Sequence, residues 1–373
     1  MWQAQVHVDL DAIQHNVARL RAGTTAELMA VVKGDGYGHG MVPVARAALD
    51  AGADWLGACT LGEALQLRAA GITAPVLAWL LAPGLPLHEG VAAGVDLSAG
   101  SLPGLDEVVA GARAAGRPAR LHLKVDTGLS RGGATAADWP ALVEAVAKAV
   151  ADGTVEVVGV WSHFVNADVP ADPITDAQLG VFRAALDVAA RFGIAPRYRH
   201  LANSAATLTR PDTHFDLVRP GIALYGLTPV PGVDFGLRPA MTVRARVMLT
   251  KRVPAGQGVS YGHTYATGGE TTLAVIPLGY ADGVPRIGSN RAPVFVAGKA
   301  RPIAGRVCMD QIVVDCGDDP VAPGDVAVLF GSGTGGGPTA DDWARACETI
   351  NYEIVTRIGS TRVPRTYGDG EGT

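Results

Sequence analysis

Residues 54–80, DWLGACTLGEALQLRAAGITAPVLAWL, divide into three pieces with different periods. Asp54–Cys59 and Pro75–Leu80 are apolar runs of strand length, whereas Leu61–Ala70 spaces its apolar residues three and four apart and stops at Gly71, as a helix does. Strand, helix, strand is a parallel crossover unit. The unit recurs outward in both directions. Strands are expected near Glu27–Lys33, Val95–Ser98, Ala119–Val125, Val155–Ser162, Tyr198–Ala202 and Phe215–Arg219, with helical patterns over Met41–Ala51, Ala141–Ala151 and Gln178–Phe192. Eight such strands predict a (β/α)8 TIM-type barrel over residues 9–238, in the α/β class, rather than an open sheet. Ala205–His214 is short for a crossover helix.

After Arg238-Pro239 the pattern changes. Thr242–Val253 is one β-branched run, and strands are expected at Thr271–Leu278, Ala292–Val296, Ile303–Val307, Gln311–Cys316 and Asp325–Phe330, with Gly and Pro between them. One helix, Ala340–Ile358, opens at Asp341-Asp342. This predicts a second, mostly antiparallel β domain over 239–373. The alternating run Gln3–Val8, within residues 1–8, adds a strand to one of the two domains and can pack with the second.

The 373 residues hold 31 Lys+Arg against 36 Asp+Glu, a net charge of −5, and no run of like charge exceeds a few residues. That gives no electrostatic footprint for nucleic acid or an anionic membrane. The opening MWQAQVHVDLDAIQHN has neither the basic nor the apolar region of a secretory signal, and Pro75–Ala82 is too short to span a bilayer. Cys59, Cys308, Cys316 and Cys347 form no CxxC pair, so they read as buried free thiols, and no metal site is expected. A cytoplasmic protein with a small-molecule partner is the expectation.

Lys33 ends an apolar strand and opens Gly34-Asp-Gly-Tyr37-Gly-His39-Gly40. The carboxyl ends of barrel strands line active sites, and a desolvated lysine there is a candidate Schiff-base nucleophile. The glycines do not fit the dinucleotide fingerprint, and Gly331–Gly337 reads as a surface loop. Arg131, His163, Asn203-Ser204, Arg219 and Gly221-Ile222 fall at the same end of the barrel. A lysine, loops suited to phosphate after the last two strands and a charged partner for a ring nitrogen describe a pyridoxal 5′-phosphate site.

The stretch Ala30-Val-Val-Lys33-Gly-Asp-Gly-Tyr37-Gly-His-Gly resembles the cofactor-lysine signature of the alanine racemase family. The resemblance continues, in order, through Lys124–Gly132, Ser162-His163-Phe, Ala202-Asn203-Ser204, Val218–Gly226, Ser260–Tyr265, Gly279–Gly283, Val307–Asp310 and Ile350–Ile354. It implies a fold-type III pyridoxal-phosphate (PLP) enzyme that interconverts L- and D-alanine, supplies D-alanine for peptidoglycan, and works as a head-to-tail homodimer with shared sites. By that resemblance Lys33 binds the cofactor and is the base on one face of the substrate Cα, while Tyr261 of the partner subunit is the base on the other. Tyr37, Ser204, Gly221, Ile222 and Tyr352 hold the phosphate, and Arg219 faces the pyridine nitrogen with His163 supporting it. Asn203 and Trp79 touch the cofactor. Arg131 and Met309 bind the substrate carboxylate, Lys124 matches a lysine carbamylated in some members, and Tyr265, Tyr280 and Tyr352 narrow the entrance. The competing readings are another PLP barrel enzyme, such as a basic amino-acid decarboxylase, a non-catalytic PLP carrier, and a cofactor-free binding module.

Overall fold

The computed structural model describes residues 2–358 and 362–368. The chain begins with β1 (Ala4–Asp9), then the helix Leu10–Arg21, whose N-cap Asp9 accepts a hydrogen bond from Ala12 N at 3.0 Å. Eight strands follow: β2 (Glu27–Val31), β3 (Trp55–Ala58), β4 (Val76–Ala78), β5 (Asp96–Ala99), β6 (Ala119–Lys124), β7 (Val155–Trp161), β8 (Tyr198–His200) and β9 (Leu217–Val218). They pair in parallel in the order β8-β7-β6-β5-β4-β3-β2-β9. Hydrogen bonds from Asp216 N to Arg199 O (3.1 Å) and Arg219 N to Ala202 O (2.9 Å) join β9 to β8 and close the ring. The result is the expected barrel with helices outside it. The short segment after β8 forms only the helix Ser204–Thr209 and a 3-10 turn, Pro211–Thr213.

The remaining chain is largely antiparallel β. One sheet has the order β16-β15-β18-β10-β1-β19, with β10 (Met241–Arg246), β15 (Pro293–Val296), β16 (Lys299–Pro302), β18 (Val326–Phe330) and β19 (Arg365–Gly368). The N-terminal strand β1 therefore pairs antiparallel with β10 and parallel with β19. A second sheet joins β11 (Leu249–Val253), β14 (Thr271–Ile276) and β17 (Ile312–Asp315), and β12 (Gly258–Val259) with β13 (Tyr265–Ala266) makes a small hairpin.

Three expectations need correction. The run Thr242–Val253 is two strands in different sheets, because the chain crosses over at Val247-Met248; β-branched composition alone carries no sheet assignment. Ile303–Val307 forms only an isolated bridge, Ile303 to Val314, and the strand lies just before it at Lys299–Pro302. The single helix Ala340–Ile358 is two, Ala340–Ala346 and Asn351–Arg357, parted where Glu348 takes a φ of +55°. A capping box between Thr339 and Asp342 opens the first of them. Among the described residues no helix is long and apolar enough to cross a membrane.

Candidate active site

Lys33 lies one residue past β2, after Val32, and the chain then turns through four consecutive left-handed residues, Gly34 to Tyr37, with φ between +51° and +62°. Asp35 and Tyr37 carry side chains in that region at about 1–2 kcal/mol each. Other contacts hold the turn. Asp35 Oδ1 accepts from Met41 N at 2.9 Å, its Oδ2 pairs with Arg365 of β19 at 2.7 Å, and Tyr37 stacks on Tyr225 with centroids 4.8 Å apart. The Glu63 carboxylate accepts from Gly34 N (2.7 Å), Cys59 N (2.8 Å) and Thr60 N (3.1 Å), so one side chain ties the lysine turn to the end of β3.

Lys33 is half-buried with its Nζ 5.8 Å from the Trp79 ring centroid. Burial lowers its pKa, and the Arg131 and Arg219 charges add to that, with Cys59 and Glu63 opposing. The same crowd acts on its neighbours. Lys124 is pushed down to about 8 by burial and by Arg131 and Arg219. His163 is held well below the ordinary histidine range by burial, then Arg219, Arg131, Lys33 and Lys124, and is neutral. The barrel mouth is a cluster of cations, suited to a dianionic phosphate and a carboxylate together.

Next to this cluster, where the chain leaves β8 and β9, lies a cradle of hydroxyls and backbone N–H groups. Ser204 Oγ accepts from Gly221 N (2.8 Å) and Ala223 N (3.3 Å). A Cβ on Gly221 would sit 2.3 Å from Tyr37 Oη, so only glycine leaves that hydroxyl in place. Tyr352, carried by the helix Asn351–Arg357, approaches Tyr37 with ring centroids 6.2 Å apart. Burial raises the pKa of both tyrosines, which therefore remain hydrogen-bond donors. Ile222 is fully buried.

Arg219 is 5% exposed and stacks on Trp161 at 4.9 Å. Its guanidinium donates to His200 Nδ1 (3.1 Å), Ser162 O (2.8 Å) and Leu201 O (3.4 Å). The imidazole bonded to Arg219 is thus His200 rather than His163, which faces the cations without that bond. Asn203 caps the helix Ser204–Thr209, its Oδ1 accepting from Ala206 N at 3.1 Å. Arg131 is exposed on a loop whose turn is held by Asp126 Oδ1, which accepts from Gly128 N (2.9 Å) and Ser130 N (3.1 Å).

Tyr261 and Met309 lie in the β domain and stand 69% and 52% exposed. Among the described residues the barrel makes no hydrogen bond to either side chain. Tyr265 donates to Asp315 at 2.7 Å and anchors the hairpin that bears Tyr261. Tyr280 is exposed. Of the four free thiols only Cys316 and Cys347 are buried; Cys59 and Cys308 are half-buried beside the site elements. Glu63, Trp161 and the His200–His122–Asp96 group escape a motif-by-motif reading. Their one signal is position: Trp161, His200 and Asp96 lie on barrel strands where polar or aromatic residues recur every second place.

Comparison with known proteins agrees with this geometry. The family model "Alanine racemase, N-terminal domain" matches residues 8–229, and "Alanine racemase, C-terminal domain" matches 240–367. The alanine racemase of Salinispora arenicola is 76% identical over 371 residues, covering 100% of both chains. The crystal structure of alanine racemase from D-cycloserine-producing Streptomyces lavendulae superposes with a TM-score of 0.97 at 55% identity, covering 99% of this chain and 98% of that one. The alanine racemase of Bacillus anthracis with bound L-Ala-P gives 0.91 at 37% identity, covering 100% and 97%.

Proposed function

The chain belongs to the alanine racemase family, and from that premise we propose that its barrel mouth inverts alanine with two bases drawn from two copies of the chain. The enzyme interconverts L- and D-alanine and depends on PLP. When bound, PLP supplies the electron withdrawal that makes the substrate Cα–H acidic. The residues present fit it: a cation cluster for its charges, and a cradle kept open by the missing side chain of Gly221. Lys33 would hold it covalently, the Tyr37 and Tyr352 hydroxyls with Ser204 and the Gly221 and Ile222 N–H groups would hold its phosphate, and Arg219 would face its ring nitrogen. An arginine donates a hydrogen bond without giving up its proton, so that nitrogen stays largely unprotonated.

Each base has a distinct task. Lys33 Nζ, its pKa lowered by burial and by Arg131 and Arg219, takes or returns the Cα proton on one face. The partner subunit's Tyr261 does so on the opposite face. A proton removed from one side and returned from the other is what inversion requires. Arg131 binds the substrate carboxylate, with Met309 of the partner subunit. Tyr280 and Tyr352 crowd the entrance and favour a methyl side chain, a preference worth about 1–3 kcal/mol per additional methylene. A homodimer with shared sites is part of this reading, and the exposure of Tyr261 within its own chain supports it. We take the barrel as residues 9–238 and the β domain as 239–373, and place the enzyme in the cytoplasm.

The observation that carries this reading is the Lys33 amine, its pKa lowered chiefly by burial, just past the end of β2, the strand beside β9, which leads into the Tyr37–Gly221–Ser204 cradle. Proton NMR of L-alanine in D2O with protein and PLP, followed by chiral analysis of the same sample, tests it. Loss of the Cα–H signal with formation of D-alanine is expected. Exchange without D-alanine would mean that only one base works.

A further inference from the structure

The interior of a (β/α)8 barrel is ordinarily filled by branched aliphatic side chains. Here β5 to β9 put polar groups inside instead, at alternate positions: Asp96 and Ser98, His122 and Lys124, Trp161, His200 and Arg219. Four of them, Arg219, His200, His122 and Asp96, form one continuous hydrogen-bonded line. Arg219 Nη1 meets His200 Nδ1 at 3.1 Å, His200 Nε2 meets His122 Nδ1 at 2.9 Å, and His122 Nε2 meets Asp96 Oδ2 at 3.0 Å. Arg120 closes the far end on Asp96 at 2.8 Å. Asp96, His122 and His200 are each at most 1% exposed.

The direction of every proton in this line is fixed. A guanidinium only donates, so His200 Nδ1 accepts. A neutral imidazole has one N–H, so His200 Nε2 donates and His122 Nδ1 accepts. His122 Nε2 then donates to the carboxylate. The backbone accommodates the line: β7 shifts register beside Leu121/His122, and a Cβ on Gly159 would lie 2.4 Å from His122 Nδ1 and 3.0 Å from His200 Nε2. Trp161 lies parallel to His200 with centroids 5.8 Å apart and donates to Ser98 Oγ at 2.8 Å, so the His200 ring cannot turn. The three hydrogen bonds of Arg219 end on His200 and two carbonyls, never on a carboxylate. Asp96 is the counter-charge that the hydrogen bonds lead to.

We propose that Asp96 and His122 are positioning residues for the racemisation, which act through His200 by keeping its Nδ1 an acceptor and so hold the Arg219 guanidinium in its working orientation. The proposal rests on the reading that Arg219 faces the cofactor ring. Asp96 stands three hydrogen bonds from that guanidinium and touches neither cofactor nor substrate. Polarised chains of this kind strengthen each link, and losing an acceptor deep in the barrel leaves an N–H without a partner.

The test uses holoenzyme carrying Asp96→Ala, His122→Leu, His122→Gln and Arg219→Lys. Readouts are kcat and KM, the rate of PLP loss on dialysis, and the pH midpoint of the bound cofactor's absorption band. Asp96→Ala and His122→Leu are expected to lower kcat about tenfold or more with KM nearly unchanged, to speed PLP loss, and to move the absorption midpoint. His122→Gln, whose amide oxygen accepts from His200 Nε2–H, should recover most of the loss. Parental kcat and absorption midpoint in His122→Leu, or a His122→Gln enzyme as impaired as His122→Leu, overturns the proposal. The His122 pair decides the matter if Asp96→Ala does not fold. Arg219→Lys separates the two readings: a parental spectrum there overturns the placement of Arg219, whereas a changed spectrum there with a parental one in His122→Leu overturns the relay alone.

Discussion

Replacing Gly221 with alanine would set a methyl carbon 2.3 Å from Tyr37 Oη and 3.0 Å from Tyr37 Cζ. Tyr37 cannot withdraw easily, because its ring is stacked on Tyr225, whose own hydroxyl is fastened to Val31 O at 3.0 Å. The hydroxyl is therefore displaced from the phosphate cradle, or the Gly221 N–H is. A hydrogen bond to a charged acceptor contributes about 1.5–3 kcal/mol, so PLP binding should weaken by roughly 10- to 150-fold. Overpacking in the cradle costs a further ~1–3 kcal/mol of native-state stability. Titration of apoenzyme with PLP, followed by absorbance, measures the first effect. Tyr37→Phe should weaken binding to a similar degree, and the double variant should be no weaker than the worse single one, since removing the hydroxyl relieves the nearest clash. A coupling of about 1 kcal/mol or more is expected for side chains in such contact. Strict additivity, or a Gly221→Ala Kd within about twofold of the parent's, would refute the reasoning.

Other outcomes follow from the cation cluster and from the hairpin. Lys124 is lowered to about 8 against an ordinary 10.5, so between those values the unfolded chain binds the extra proton and apoprotein stability rises with pH. Urea midpoints at pH 8 and 10 should therefore climb more steeply for the parent than for Lys124→Met, and equal slopes would sink the idea. Ser260, just before Tyr261, has φ +62° and ψ −170°, a region that favours glycine, and donates from Oγ to Arg306 O at 2.7 Å. Ser260→Ala keeps the strain and loses the bond, whereas Ser260→Gly loses both, so the glycine variant should be the more stable by about 1 kcal/mol in denaturation; the reverse order would contradict it. Arg219→Glu exchanges a fixed donor for an acid able to protonate the ring nitrogen, and should raise transamination, read as accumulation of aminated cofactor; an unchanged side reaction counts against that role for Arg219.

The barrel was legible because each strand is a short apolar run closed by turn residues, and all eight lie within two residues of the expected bounds. The β domain was less so. Nothing in the composition of Thr242–Val253 marks the change of sheet, and the break at Glu348 depends on a left-handed non-glycine residue that the sequence pattern hides. At the site, Lys33 and its glycines stood out as a motif, whereas the left-handed path of Gly34–Tyr37 is held by Arg365, paired with Asp35, and by Tyr225, stacked on Tyr37, both from distant parts of the chain. His200 was visible only as a strand-end residue. Its bond to Arg219 needs the curvature of the closed barrel, which brings β5, β6, β8 and β9 to one interior. Local pattern reports period and turn; it does not report which inward side chains meet.

The claim that each site is built from two chains is tested most directly by mixing Lys33→Ala with Tyr261→Phe. Each homodimer lacks one base at both sites, whereas a mixed dimer contains one intact site and one doubly defective one. Random exchange at equal concentrations makes half of the dimers mixed, so activity should return to about a quarter of the parent's. No recovery after exchange has been verified, by mass of the mixed dimer, would contradict the shared site and return both bases to a single chain.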